Sequence, residues 1–486
     1  MSQLRGRTIK SVFWVLTNRV LIQFVNFIVS VFLARKLTPK EFGIIGIIMI
    51  FISVSQIIIE GGLSNSLIRT RKPRPIDYSV VFLTNLSMSF LLYAILFIAS
   101  PFIAAYFNIP SLEILVRVLG VVIIIRSFSI IQFTMMTIDM DFKKQMTIQV
   151  PSLLVGGVTG IVLAYMNFGV WSLVIMQLTT AVVLTGQLWI RSAWKPAFLF
   201  DKPTFVYHIR HGSNIMGAQL IRTVFDNVFS FIIGKAYSPA QLGFYSRANS
   251  LKQIPVETLS KALITVTLPV FAKLQDDIEK LKRAYLKITQ QVFFLITPLL
   301  VAMMVLAKPI FIFLFTAKWL PAVPFFQVLC LGGIMQPASQ FSGNILSVKE
   351  KSGMLFKLEL VKRLLLVVLL VIFYRKGVLV LAAIQSFYFL YNFFLQAYFC
   401  GREIHASVWQ QVKPMLPILG AALLEGLLIW VLERYLPVWP NIVKIILEGG
   451  AGLLLYFGLL AMVRFEASKE LIGVGKGYLA EFKKKI

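Results

Sequence analysis

Acidic side chains are scarce: 486 residues hold 21 Asp and Glu against 48 Lys and Arg, and the four charged types together make up only 14% of the chain. A soluble domain carries roughly 25% charged residues, so this shortage excludes a water-facing surface. With 58% of residues apolar, the solvent is lipid. Cysteine is nearly absent. Cys330 and Cys400 both lie in apolar stretches, which leaves no disulfide framework and no thiolate metal site. The three histidines, His208, His211 and His405, are too scattered to form a metal site by spacing. The chain contains no Walker phosphate loop, metalloprotease helix or nucleophile elbow, so ATP as an energy source is not indicated. Long polar segments are missing too, which leaves no room for a soluble domain or a large catalytic loop.

What is present is one apolar stretch after another. A membrane helix needs roughly 20 such residues, and reading them against polar breaks predicts an all-α membrane protein of about fourteen spans. These fall near 11–33, 42–60, 79–100, 113–138, 147–166, 170–190, 212–233, 243–268, 288–314, 322–346, 354–374, 378–400, 411–432 and 442–463. Arg5, Arg7 and Lys10 resemble the start of a signal peptide. The stretch that follows is too long for one, contains Arg19 and lacks a small-residue cleavage site.

The net charge of +27 is distributed as a topology signal, not as a nucleic-acid-binding face. Basic residues fill alternate loops: Arg69 to Arg74, Arg191 to Arg210, Lys273 to Lys287 and the tail Lys483 to Lys485. The loops at Tyr106 to Pro110 and Tyr165 to Phe168 carry no charge. By the positive-inside rule both termini are expected in the cytoplasm, in a multi-pass protein of the inner (cytoplasmic) membrane. The basic clusters are read as solvated topology signals before headgroup sites.

The sequence also repeats. Arg35 to Gly43 (RKLTPKEFG) aligns without a gap to Lys235 to Gly243 (KAYSPAQLG), an offset of 200 residues. Each copy joins the first two helices of a six-span unit, with Thr38-Pro39 and Ser238-Pro239 expected to cap and start the second. The expected domains are therefore a six-helix lobe over 1–200, a second over 201–400, related by an axis along the membrane normal, and an accessory helix pair with a tail over 401–486.

Charge inside a membrane helix costs roughly 2.5 to 3.5 kcal/mol on insertion scales, so such residues mark water, substrate or a partner. Arg19, Gln23 and Asn26 share one face of the first helix; Ser53, Gln56 and Glu60 share one face of the second. In the seventh, Gln219, Arg222, Asp226 and Ser230 form a stripe. The eighth carries Arg247, Asn249, Lys252, Gln253, Glu257, Ser260 and Lys261, with Pro255 breaking its ladder, and would fail as an isolated span. Arg126 stands alone in the fourth.

The functional reading is a central cavity lined by the first two helices of each half. Its positive charge (Arg19, Arg126, Arg222, Arg247, Lys252) suits an anionic headgroup such as a diphosphate, and Gln23, Asn26, Gln56, Gln219, Asn249 and Gln253 form its polar lining. The alternative is that these groups pair to lock helices together, as Arg222 and Asp226 can at their i, i+4 spacing. No cofactor is expected. Asp226, Glu60 and Glu257 are candidates for coupling to Na+ or H+. Glu359, Lys362 and Arg363 are placed near the cytoplasmic end of their helix, snorkelling or pairing locally. Glu425 and Glu448 are assigned to packing of the accessory pair, and Gly156-Gly157 and Gly332-Gly333 to close helix packing.

Several segments resemble the Wzx-type polysaccharide and O-antigen exporters, lipid-linked oligosaccharide flippases of the superfamily that also holds MATE multidrug extruders and lipid II flippases. These are Leu37 to Gly43, Gly62 to Ile68, Asp141 to Lys144, Gly169 to Leu173, Ser238 to Arg247 and, most specific, Leu268 to Asp277 (LPVFAKLQDD). The resemblance implies a two-lobed transporter, not an enzyme. Alternating access would carry an undecaprenyl-diphosphate-linked oligosaccharide from the inner to the outer leaflet. It further implies membrane lipids, a polysaccharide polymerase and a copolymerase as partners. An ion-coupled multidrug exporter of the same fold is the alternative; a site for cationic drugs would be acidic, whereas the intramembrane charge here is mostly basic.

Overall fold

The computed structural model describes residues 2–60, 62–197, 199–435 and 439–462, all helix, turn or loop with no strand among them. The side chains of Arg5, Arg7, Lys10 and Lys261 and the tail Lys483 to Lys485 lie outside the described residues. Helices run in chain order α1 (Ser2–Lys36), α2 (Pro39–Glu60), α3 (Leu63–Arg69), α4 (Pro75–Phe107), α5 (Leu112–Ser127), α6 (Ile130–Ile138), α7 (Phe142–Tyr165), α8 (Val170–Arg191), α9 (Lys202–Ala236) and α10 (Pro239–Lys273). They continue as α11 (Ile278–Val305), α12 (Ala307–Phe315), α13 (Val323–Val348), α14 (Ser352–Phe373), α15 (Val378–Glu403), α16 (Val408–Val412), α17 (Leu416–Tyr435) and α18 (Asn441–Met462).

Each expected span falls on one of these helices or on a bent pair. The count of fourteen is nonetheless not established. Among the described residues ten helices are long and apolar enough to cross a membrane, or eleven if the bent pair α5–α6 is one span. The long helices α9, α10 and α14 miss this mark because their middles carry Arg222 and Asp226, Lys252 and Glu257, and Lys362 and Arg363. The span expected over 288–314 is broken at Leu306. Pro309 has no N–H to give the Val305 carbonyl, so the ladder loses a bond there and α12 starts as a separate helix.

Helix starts follow the sequence closely. At α2 the Glu41 carboxylate reaches back to accept from the Thr38 N–H at 2.6 Å and its hydroxyl at 2.9 Å; at α10 the Ser238 hydroxyl accepts from the Gln241 N–H at 3.2 Å. Asp141, Asp201 and Asp277 cap α7, α9 and α11 in the same way.

The chain forms two compact units, residues 1–246 and 247–486. Both turn large apolar side chains outward, Phe102 and Ile98 in the first and Leu423 and Leu454 in the second, as a lipid-facing surface must. In the first unit Phe82 packs edge-on against Phe128, Trp189 and Trp194, and the Trp189 indole N–H donates to the Phe128 carbonyl at 3.0 Å. The glycine pairs allow close approach as expected. Gly156 lies against Thr180 and Met176 of α8, Gly157 against Val29 of α1, Gly332 against Ser386 of α15 and Gly333 against the Lys252 side chain.

The two copies of the repeated motif meet inside the first unit. A Cβ on Gly43 would overlap the Pro239 carbonyl, and a Cβ on Gly243 would overlap the Pro39 carbonyl. The contact is reciprocal, and only glycine lets the two helix starts cross so closely.

Candidate functional site

In the first unit, helices α1, α2, α3, α5, α6, α7 and α8 enclose a cavity of about 460 Å3. Glu60, at the last turn of α2, and Arg126, at the last turn of α5, both line it, and each feels the other's charge. Among the described residues neither side chain makes a hydrogen bond. Around them stand Ser64, Ser129, Thr134, Thr137, Gln149 and Thr180, with Phe133, Leu153 and Leu184 as apolar wall. Gln149 is fixed by accepting from the Asn18 amide at 2.8 Å. Ser64 is different: its hydroxyl is buried with no partner among the described residues. These neutral polar residues were not singled out in the sequence. Thr134 and Thr137 donate to carbonyls one turn back, at 2.9 and 3.0 Å, and sequence alone cannot distinguish this self-satisfaction from a cavity-lining role.

The polar faces of α1 and α9 are exposed. Arg19, Gln23 and Asn26 lie open on α1. On α9 the Arg222 and Asp226 side chains are 78% and 68% exposed and 3.7 Å apart, with Gln219 half-buried one turn away. The pair joins a helix to itself, so it does not lock two helices together. Gln56 on α2 is half-buried, and its amide nitrogen has no partner among the described residues.

The second unit buries Lys252 and Arg247. Lys252 is fully inaccessible; its ammonium donates to the Gln253 carbonyl oxygen at 2.9 Å and reaches that of Gln336 at 3.4 Å, 5.1 Å from the Phe389 ring centre. The Gln253 amide then donates to Glu257 at 3.2 Å, so Gln336, Lys252, Gln253 and Glu257 form one polar chain along α10 and α13. Arg247 lies over Phe315 and Trp319, at 5.4 and 5.6 Å, with Asn249 half-buried beyond it. Helix α10 continues through Pro255 without ending.

Lys362 is not near a helix end: it is central in α14 and buried, donating to the Asn392 carbonyl oxygen at 3.3 Å and pairing with Glu359. The i−3 carboxylate offsets the charge and makes that depth tolerable. Glu425 and Glu448 are likewise buried, with carboxyl oxygens that have no partner among the described residues.

At the end of the first unit that bears the basic loops, α3, α4 and α9 are tied by a buried network. The Ser66 hydroxyl meets His208 Nδ1 at 2.8 Å, His208 Nε2 lies 3.5 Å from Asp77, and Arg74 bridges Asp77 and Thr204. Burial pushes the His208 imidazole below its usual pKa, against the opposing pull of Asp77. Folded protein therefore keeps His208 neutral in a range where unfolded chain takes up a proton. The contribution of His208 to stability is complete above about pH 6.5 and is lost as pH drops below it. Thermal melts at about pH 5 and 7.5 should show this loss, and His208→Gln, which keeps a side-chain partner for Ser66, should reduce it.

Residues 32–324 match the family described as polysaccharide biosynthesis protein. The chain is 26% identical over 317 residues to the succinoglycan biosynthesis transport protein ExoT of Rhizobium meliloti, covering 65% of this chain and 64% of that one. It is 22% identical over 371 residues to the lipopolysaccharide biosynthesis protein WzxC of Escherichia coli, covering 76% and 75%. With the teichuronic acid biosynthesis protein TuaB of Bacillus subtilis it shares 24% over 304 residues, 62% and 63% of the two chains. The matched region is thus just under two thirds of the succinoglycan and teichuronic acid proteins. In fold, the chain is similar to the lipid II flippase MurJ in an inward closed conformation, with a TM-score of 0.76 at 15% identity over 96% of this chain and 100% of that one. A MATE multidrug transporter, DinF-BH, is similar at a TM-score of 0.54 over 82% and 96%.

Proposed function

Because this chain belongs to the polysaccharide biosynthesis protein family, we propose that it carries a lipid-linked oligosaccharide, attached through undecaprenyl diphosphate, from the inner to the outer leaflet of the cytoplasmic membrane. The observation that supports this best is the open Arg222–Asp226 pair on a helix otherwise built to cross lipid. Charges so exposed cannot face hydrocarbon, so they border a watery path. Arg19 and Arg222, both open in the first unit, supply the positive charge a diphosphate needs, whereas Arg247 and Lys252, buried within the second unit here, meet the cargo only in another state of the transport cycle; Asp226 is the group that takes up a coupling proton or sodium ion. Both termini lie in the cytoplasm. A polymerase and a copolymerase receive the flipped product. The protein moves its cargo and does no covalent chemistry.

The test is to delete the gene and quantify lipid-linked intermediates in each leaflet, then to complement with wild type, Arg19→Ala, Arg222→Ala and Arg247→Ala. The expected result is accumulation of undecaprenyl-diphosphate oligosaccharide on the inner leaflet, relieved by wild type. The arginine variants should relieve it at least tenfold less well while remaining inserted, a loss of roughly 1.4 kcal/mol or more. Without accumulation the flippase reading falls and export of a small molecule takes its place. Accumulation relieved by every variant would keep the function and discard these cations.

A further inference from the structure

We infer that the cavity of the first unit is the subsite that holds the saccharide, not the diphosphate, of the transported lipid; this rests on the flippase reading above. The charges decide it. Glu60 and Arg126 offset one another, so the cavity has no surplus positive charge for a group bearing two or more negative ones, and the Glu60 carboxylate would repel it. A neutral polyhydroxylated group meets neither objection.

The lining has the matching chemistry. Glu60 offers acceptors, Arg126 offers a fork of donors, and among the described residues neither is engaged in a hydrogen bond. Ser64 holds a buried hydroxyl with no partner among the described residues, a group that a ligand hydroxyl would satisfy. Gln149 is held in place by Asn18, so its amide is presented at fixed geometry. Phe133 gives a flat apolar wall of the kind that packs against the C–H face of a pyranose ring. The volume of about 460 Å3 lies within the range of small-ligand sites, about 300 to 1,000 Å3. It admits a small saccharide and excludes the polyprenyl tail.

Two lipids that differ only in the sugar separate the possibilities: synthetic undecaprenyl diphosphate, and the oligosaccharide-bearing lipid extracted from the deletion strain. Binding of each to the purified full-length protein in nanodiscs is compared for wild type, Glu60→Gln and Ser64→Ala. Glu60→Gln is nearly isosteric, and Ser64→Ala removes a buried hydroxyl that has no protein partner, so both are expected to fold. The inference expects about five- to tenfold weaker binding of the glycosylated lipid, with undecaprenyl diphosphate unchanged. Equal weakening of both lipids, or of neither, overturns the subsite. So does a Glu60→Gln protein that binds both normally but transports with altered proton or sodium dependence, since Glu60 would then be the coupling group. If wild type binds neither lipid, the flippase reading itself fails; in the other two adverse outcomes it survives.

Discussion

Gly43→Val should leave almost no monodisperse protein, and Gly243→Val should do the same. At each position the first carbon of a side chain would overlap a proline carbonyl of the other motif copy, so relief requires moving the backbone of a helix start. Overpacking a well-packed site costs roughly 1 to 3 kcal/mol even when side chains can shift, and here the obstacle is main chain. Size-exclusion profiles of detergent-solubilised fluorescent fusions provide the measurement. Gly186→Val is the control, because a Cβ there meets nothing within 4 Å, and it should retain a wild-type profile. A sharp peak for either Gly43→Val or Gly243→Val would show that the crossing is not tight in the membrane.

The second large effect concerns Lys252, and here fold and function should separate. Lys252→Met keeps the stem that fills the space beside Gly333 but removes the ammonium from Gln253 and Gln336. The exchange leaves the Gln253 and Gln336 carboxamide oxygens without this donor but also removes the cost of holding an ammonium out of water, two effects of opposite sign. The melting temperature should therefore change little, while relief of lipid accumulation falls tenfold or more. Lys252→Ala should lose both, because it adds a void to the two unpaired carboxamides. Full transport by Lys252→Met would assign the lysine to helix packing alone.

Much of this was legible in the sequence. Hydrophobic runs placed the helices, and TPKEFG and SPAQLG placed two helix starts, of which Ser238 caps its helix as expected while at the other Thr38 donates to Glu41 and the carboxylate does the capping. The repeat announced two equivalent segments but not that they touch, because which helices cross is a tertiary fact absent from periodicity. Charged residues in apolar runs stood out, and Arg126 and Glu60 do share a cavity. Ser64, Thr134 and Gln149 did not stand out, since a neutral polar side chain in a membrane helix is inexpensive and its direction depends on how the helix is rotated. Lys362 was misplaced for a related reason: its local pairing with Glu359 was legible from their spacing, but a charge invites assignment to a helix end, and only the structure shows it in the middle with Asn392 beside it.

The crossing at Gly43 also has a mechanical side. With no side chain between the two backbones, the contact would serve as the fulcrum of any tilt of α2, and the helix beyond it as the arm. Glu60 is 17 residues further along that helix, about 25 Å at 1.5 Å per residue. A swing of roughly 10° about the fulcrum would sweep its carboxylate through about 4 Å. That is more than the length of a hydrogen bond, so a change too small to disturb the packing at one end of the arm is large enough to make or break a ligand contact at the other.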